Sequence, residues 1–128
     1  MLVESLGPIS LDDALESGEE LAFSRHGSRD ILRKLRRGHW VVEDELDLHG
    51  LNRDDALSLT AEFLIQAGKK GRRCLRIVHG KGRGSPNREP VLKALLRRWL
   101  PQRGEILAFA QAPAAQGGGG ALLVLLKG

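Results

Sequence analysis

The chain has 128 residues, 41% hydrophobic and 28% charged, with one cysteine and a formal net charge of +4. That length suits a single compact domain, and the lone Cys74 rules out an internal disulfide and fits a reducing compartment. No apolar run approaches the ~20 residues that span a bilayer and no signal-peptide pattern opens the chain, so a cytoplasmic monomer with no membrane partner is expected.

Residues 1–40 read as an arm. Up to residue 24 it is acidic and weakly patterned, with Leu11, Ala14 and Leu15 able to form a short helix capped by Ser10. From Ser28 to Arg37 a second helix is expected, with Ile31, Leu32 and Leu35 as its apolar stripe and Gly38 as its stop. Trp40, Val41 and Val42 then tether the arm to a domain over residues 41–128.

That domain opens with a short apolar strand through Leu46 and Leu48. Asn52 caps a helix whose stripe is Ala56, Leu59, Phe63 and Ala67, widened by Leu64 and ended by Gly68. Cys74 to Val78 is a second strand, followed by a loop rich in Gly and Arg. Pro90 starts a further helix, and Leu92, Leu95, Leu96 and Trp99 form its apolar face. Glu105 to Ala110 and Ala121 to Leu126 are strands joined by a loop that ends in four glycines. The fold class is α/β (α+β): a two-layer β-α-β-α-β-β sandwich with a four-stranded mixed sheet and two helices, preceded by the helical arm.

Charge is strongly segregated. Residues 1–24 carry −6, residues 25–40 carry +5, residues 41–68 carry −6, and residues 69–100 carry +10. A block as basic as the last attracts polyanions, nucleic acid first among them.

Chemistry concentrates where two apolar strands each run into His-Gly. In Leu46-Asp47-Leu48-His49-Gly50, Asp47 and His49 share a strand face. In Val78-His79-Gly80-Lys81-Gly82, His79 follows Leu75 and Ile77 on one face, with Arg76 and Val78 on the other. A helix between two strands makes them parallel, so both histidines belong at carboxyl strand ends, where open α/β sheets hold ligands. Asp47, His49 and His79 are therefore expected to converge. Three readings stay open: a two-His, one-carboxylate site for a divalent metal; general acid–base action on a phosphodiester; or binding without turnover. On RNA the 2′-OH would be the nucleophile, whereas nicking DNA would need activated water and a divalent metal ion. Lys81, Gly82, Arg83, Arg88 and Arg76 are candidate contacts to the phosphate backbone. His26 and His39 lack partner acids and read as surface residues. Too few aromatics are present for a base-stacking platform.

Three stretches together carry a family resemblance: Leu46 to Gly50, His79 to Gly82, and Gly118-Gly119-Gly120-Ala121-Leu122. In order and spacing they resemble the signatures of the Smr (small MutS-related) domain, and Leu32 to Gly38 looks like the segment preceding it in stand-alone bacterial members. The resemblance implies a fold similar to the C-terminal domain of the third bacterial translation initiation factor. It also implies binding to structured RNA or branched DNA, and endonuclease or nicking activity in several members, with the ribosome a further candidate partner. It places Asp47, His49 and His79 in the catalytic positions and adds Gly119 and Gly120 to the nucleic-acid contacts. A non-catalytic nucleic-acid or ribosome-associated binding module is the alternative.

Overall fold

The computed structural model describes residues 21–80 and 91–128. The expected helix near Leu11, and Lys81, Gly82, Arg83 and Arg88, lie outside the described residues. Eight principal elements follow one another: β1 (Ala22–Ser24), α1 (Arg29–Arg36), β2 (Asp44–Asp47), α2 (Arg53–Lys69), β3 (Cys74–Val78), α3 (Val91–Trp99), β4 (Ile106–Gln111) and β5 (Ala121–Leu126). They build a mixed sheet in the order β1-β4-β5-β3-β2. Among the described residues only β2 and β3 are parallel, joined through α2. Among the described residues no helix is long and apolar enough to cross a membrane.

The sheet has five strands rather than the expected four, because Ala22–Ser24 adds antiparallel to β4 with Phe23 opposite Phe109. The arm is fixed further by Arg25, whose guanidinium donates to the carbonyls of Ile106 (2.8 Å), Pro101 (3.1 Å) and Arg103 (2.8 Å).

The domain itself has the two layers expected, and the helix of the arm adds a third on the other sheet face. Leu122, Val124 and Leu126 of β5 pack with Leu75, Ile77, Ile106 and Phe109 against α2 and α3. The alternate residues Leu123 and Leu125 join Cys74, Ala108 and Ala110 against Leu32 and Leu35 of α1. One sheet thus lies between two helical layers. A register shift between Ile106 and Ala108 lets Ile106 and Phe109 face the same side. Each layer holds one of the two tryptophans: Trp99 packs beside α2 and α3, and Trp40 beside α1. Arg103 lies 5.1 Å from the centre of the Trp99 ring.

Local signals account for the helices. The Ser28 hydroxyl accepts from the Ile31 N–H at 3.2 Å to start α1, and Gly38, at φ +85°, follows its end. Asn52 accepts from the Asp55 N–H at 2.8 Å to start α2. The buried stripe of α2 is Ala56, Thr60, Leu64 and Ala67, turned about one residue from the expected one, with Leu59 exposed. Thr60 is tolerated in the core because its hydroxyl donates to the Ala56 carbonyl at 2.7 Å. Gly71, at φ +72°, rather than Gly68, marks the turn after this helix.

Candidate nucleic-acid site

The parallel pairing of β2 and β3 brings their carboxyl ends to one rim. The ladder runs one residue past β2, where the Leu48 N–H donates to the Val78 carbonyl at 2.7 Å and sends the Leu48 side chain into the core. Asp47 lies opposite Val78, on the sheet face that also carries Glu45 and Arg76. Gly50, at φ +82°, then turns the chain toward α2.

Asp47 and His49 are brought together. Asp47 Oδ1 accepts both the His49 backbone N–H at 3.0 Å and His49 Nδ1–H at 2.7 Å. The His49 side chain is 71% exposed and that of Asp47 52% exposed. The His49 ring and backbone hydrogen bonds hold the Asp47 carboxyl below the usual carboxylate range. With Nδ1–H committed to the carboxylate, Nε2 of the neutral ring carries the lone pair. Gly80, at φ +88°, backs this pair: a Cβ there would lie 3.3 Å from His49 Cβ.

His79 does not join the exposed pair, contrary to the expected three-group convergence. Strand alternation continues Ile77 to His79, so its side chain turns toward the α2–α3 layer and the residue is only 4% exposed. Its Nδ1–H donates to the Gly80 carbonyl at 2.8 Å. Burial pushes its pKa down, the bond to Gly80 opposes that shift, and the Lys93 ammonium reinforces it. Lys93, itself 5% exposed, had no motif to announce it, though it flanks the Leu92, Leu95, Leu96 stripe.

The Gly-rich loop before β5 clasps the second motif. The Gly120 carbonyl accepts from both His79 N–H (2.9 Å) and Gly80 N–H (3.0 Å), so buried Gly120 holds the protein's own backbone. Gly119 is partly exposed, and a Cβ there would touch nothing within 4 Å. Arg76 straps this loop: Nη2 donates to Glu45 and Nη1 to the Gln116 carbonyl, both at 2.9 Å. Neither Glu45 nor Gln116 was singled out from the sequence, although β2–β3 register places Glu45 directly beside Arg76.

Among the described residues no group of three His, Cys, Asp or Glu side chains is placed to hold a metal ion. The two-His, one-carboxylate set is not assembled, since His79 is in the other layer with Nδ1 committed to Gly80.

Comparison with known proteins agrees with the fold. The model of the Smr domain family matches residues 46–127. The ribosome rescue factor SmrB of Tolumonas auensis is 36% identical over 96 residues, which are 75% of this chain and 52% of that protein. SmrB of Photobacterium profundum is 37% identical over 105 residues, covering 81% and 56% respectively. The chain thus spans about half the length of these curated relatives. Among solved structures, YdaL, a stand-alone small MutS-related protein from Escherichia coli, superposes with a TM-score of 0.73 at 28% identity, covering 87% of this chain and 86% of YdaL. The Smr domain of Thermus thermophilus MutS2 gives 0.60 at 34% identity, covering 67% of this chain and all of that domain. Sequence signatures, sheet order and these matches lead to one assignment: the chain belongs to the Smr domain family.

Proposed function

We propose that this protein is a cytoplasmic nucleic-acid-binding module that acts on ribosome-associated RNA. The observation that carries this reading is the exposed Asp47–His49 pair, at the rim of a sheet in a chain whose bases cluster in two blocks. Ribosome rescue, the role for which the SmrB relatives are named, supports the partner.

A second reading, phosphodiester cleavage, is favoured by the 2.7 Å bond from His49 Nδ1 to Asp47. That bond orients the ring and leaves the Nε2 lone pair free to accept a proton. Nε2 takes the proton of a ribose 2′-OH, the 2′ oxygen bonds to the adjacent phosphorus, and the 5′ oxygen leaves with a proton from solvent. The products are a 2′,3′-cyclic phosphate and a 5′-OH. Lys81, Arg83 and Arg88 would balance the phosphoryl charge. His79, buried and neutral, would support the rim while its main chain holds Gly80 against His49. DNA offers no 2′-OH, so the same pair alone does not provide a nucleophile there.

The test is to incubate wild type and His49→Ala with structured RNA, supercoiled plasmid and ribosomes, with and without chelator. Binding to RNA or ribosomes supports the module, and cleavage that His49→Ala abolishes supports the second reading. Retained affinity with no cleavage leaves the binding module alone, and absence of binding to any of the three refutes the proposal.

A further inference from the structure

α1 carries five bases against Asp30 over residues 29–37. Its apolar side is fully engaged, with Leu32 8% and Leu35 0% exposed, while Arg33, Lys34 and Arg37 are exposed. Arg33 and Lys34 reach Asp30 at 3.7 and 3.3 Å, but these are solvent-exposed pairs. Such pairs are worth ~0–1 kcal/mol and leave the cations available to a stronger anion. The helix is also rigidly mounted, through its Ser28 cap, through β1 pairing and through the three carbonyl bonds of Arg25.

The position of this helix in the fold is the informative part. Leu32 and Leu35 pack on the sheet face formed by Cys74, Val78, Ala108, Ala110, Leu123 and Leu125. Asp47, opposite Val78, projects on that same face. β4, on which α1 sits, is three strands from β2 in the sheet, and strands are spaced ~4.8 Å apart. The strand under the basic helix and the strand that leads into His49 are therefore ~14 Å apart laterally on one sheet face, a sideways span of about four stacked nucleotides at ~3.4 Å each. On the opposite face α2 carries Asp54, Asp55 and Glu62 against Arg53 and Lys69, while α3 adds Arg97, Arg98 and the buried Lys93.

We propose that the solvent side of α1 and the Asp47–His49 rim form one continuous docking surface for an RNA phosphate backbone. The strand crosses α1, passes over the loop strapped by Arg76, and reaches His49. Arg33 and Arg37 neutralise phosphates on one side of the nucleotide presented to Nε2. The arm is then half of the recognition surface as well as a cover for the sheet. This deepens the nucleic-acid reading above and rests on it.

The experiment compares two charge-matched pairs in the full chain: Arg33→Gln/Arg37→Gln on α1, and Lys69→Gln/Arg98→Gln in the α2–α3 layer, all four being exposed. Affinity for a structured RNA hairpin is measured against salt, and urea midpoints confirm that both pairs remain folded. Each lost phosphate contact lowers the salt slope by ~0.7–0.9. The α1 pair should therefore flatten the slope by ~1.4–1.8 and weaken binding about tenfold at physiological salt, with the Lys69/Arg98 pair losing distinctly less. Equal loss in both pairs, or no loss in the α1 pair while wild type binds, overturns the docking surface and leaves the nucleic-acid reading standing. Failure of the wild type itself to bind RNA overturns both.

Discussion

Alanine at Gly117, Gly118 and Gly119 should give a graded series from three adjacent glycines. Gly117 has φ +114°, and a Cβ there would lie 2.8 Å from Ala121 Cβ. That separation is well inside the ~3.5–4.0 Å optimum for carbon pairs. An L residue at this φ, with the contact added, should destabilise by about 2–4 kcal/mol. Gly118 has φ +52° and open space around it, so the left-handed conformation alone costs ~1–2 kcal/mol. Gly119 has neither positive φ nor a neighbour within 4 Å, and alanine there should be neutral or stabilise by up to ~1 kcal/mol. Urea denaturation with unchanged m-values gives the three differences. Amide exchange locates the damage: His79 and Gly80 N–H both depend on the Gly120 carbonyl, so both should exchange faster in Gly117→Ala and remain protected in Gly119→Ala. Midpoints for those two variants within ~0.5 kcal/mol of each other, or unchanged exchange at His79 and Gly80, would refute the clasp.

Arg76→Ala should cost about 1–3 kcal/mol by releasing Glu45 and the Gln116 carbonyl, yet leave the salt slope of RNA binding unchanged; a flatter slope would return Arg76 to the phosphate contacts. Leu35→Ala under α1 and Leu96→Ala under α3, both fully buried, should each cost ~2–5 kcal/mol in a single transition, and a near-neutral Leu35→Ala would show that the arm is not part of the cooperative unit. Because burial lowers the His79 pKa, the unfolded chain binds more protons below about pH 6.5, so stability should fall as pH drops through that value toward the folded pKa. His79→Gln should flatten this part of the profile. The lowered Asp47 carboxyl acts at more acidic pH: its bond to His49 should persist through the ordinary carboxylate range near ~3.9 and be lost below it, as the His49 ring NMR signals would report.

The elements that rest on local chemistry were legible in the sequence. Ser28, Asn52 and the 2-residue spacing of Asp47 and His49 act within a few residues of chain, and the structure uses all three. β1 was not legible, since three residues carry almost no propensity and its pairing partners lie more than 80 positions away. The layering did leave a trace. Ala121 to Leu126 is apolar at every position instead of alternating, and every one of these residues is buried, as expected for a strand covered on both faces. That run implied a cover for the second face, which α1 supplies. Burial of His79 was written in the alternation from Leu75 and Ile77, but which face α2 and α3 would occupy depended on long-range packing. Arg76 looked like a phosphate ligand because bases near a strand end suit that role; its partners were fixed by strand register and by a loop 40 residues away.

The placement of Trp40 and Trp99 on opposite sides of the sheet gives this small protein two built-in optical reporters. Removing one indole at a time leaves a single emitter beside either helical layer, with no tyrosine in the chain to compete. Coincident melting of the two signals would mean that both sides of the sheet dissolve as one, whereas a lag in the Trp40 signal or its early loss would expose the side bearing α1 as a separable unit.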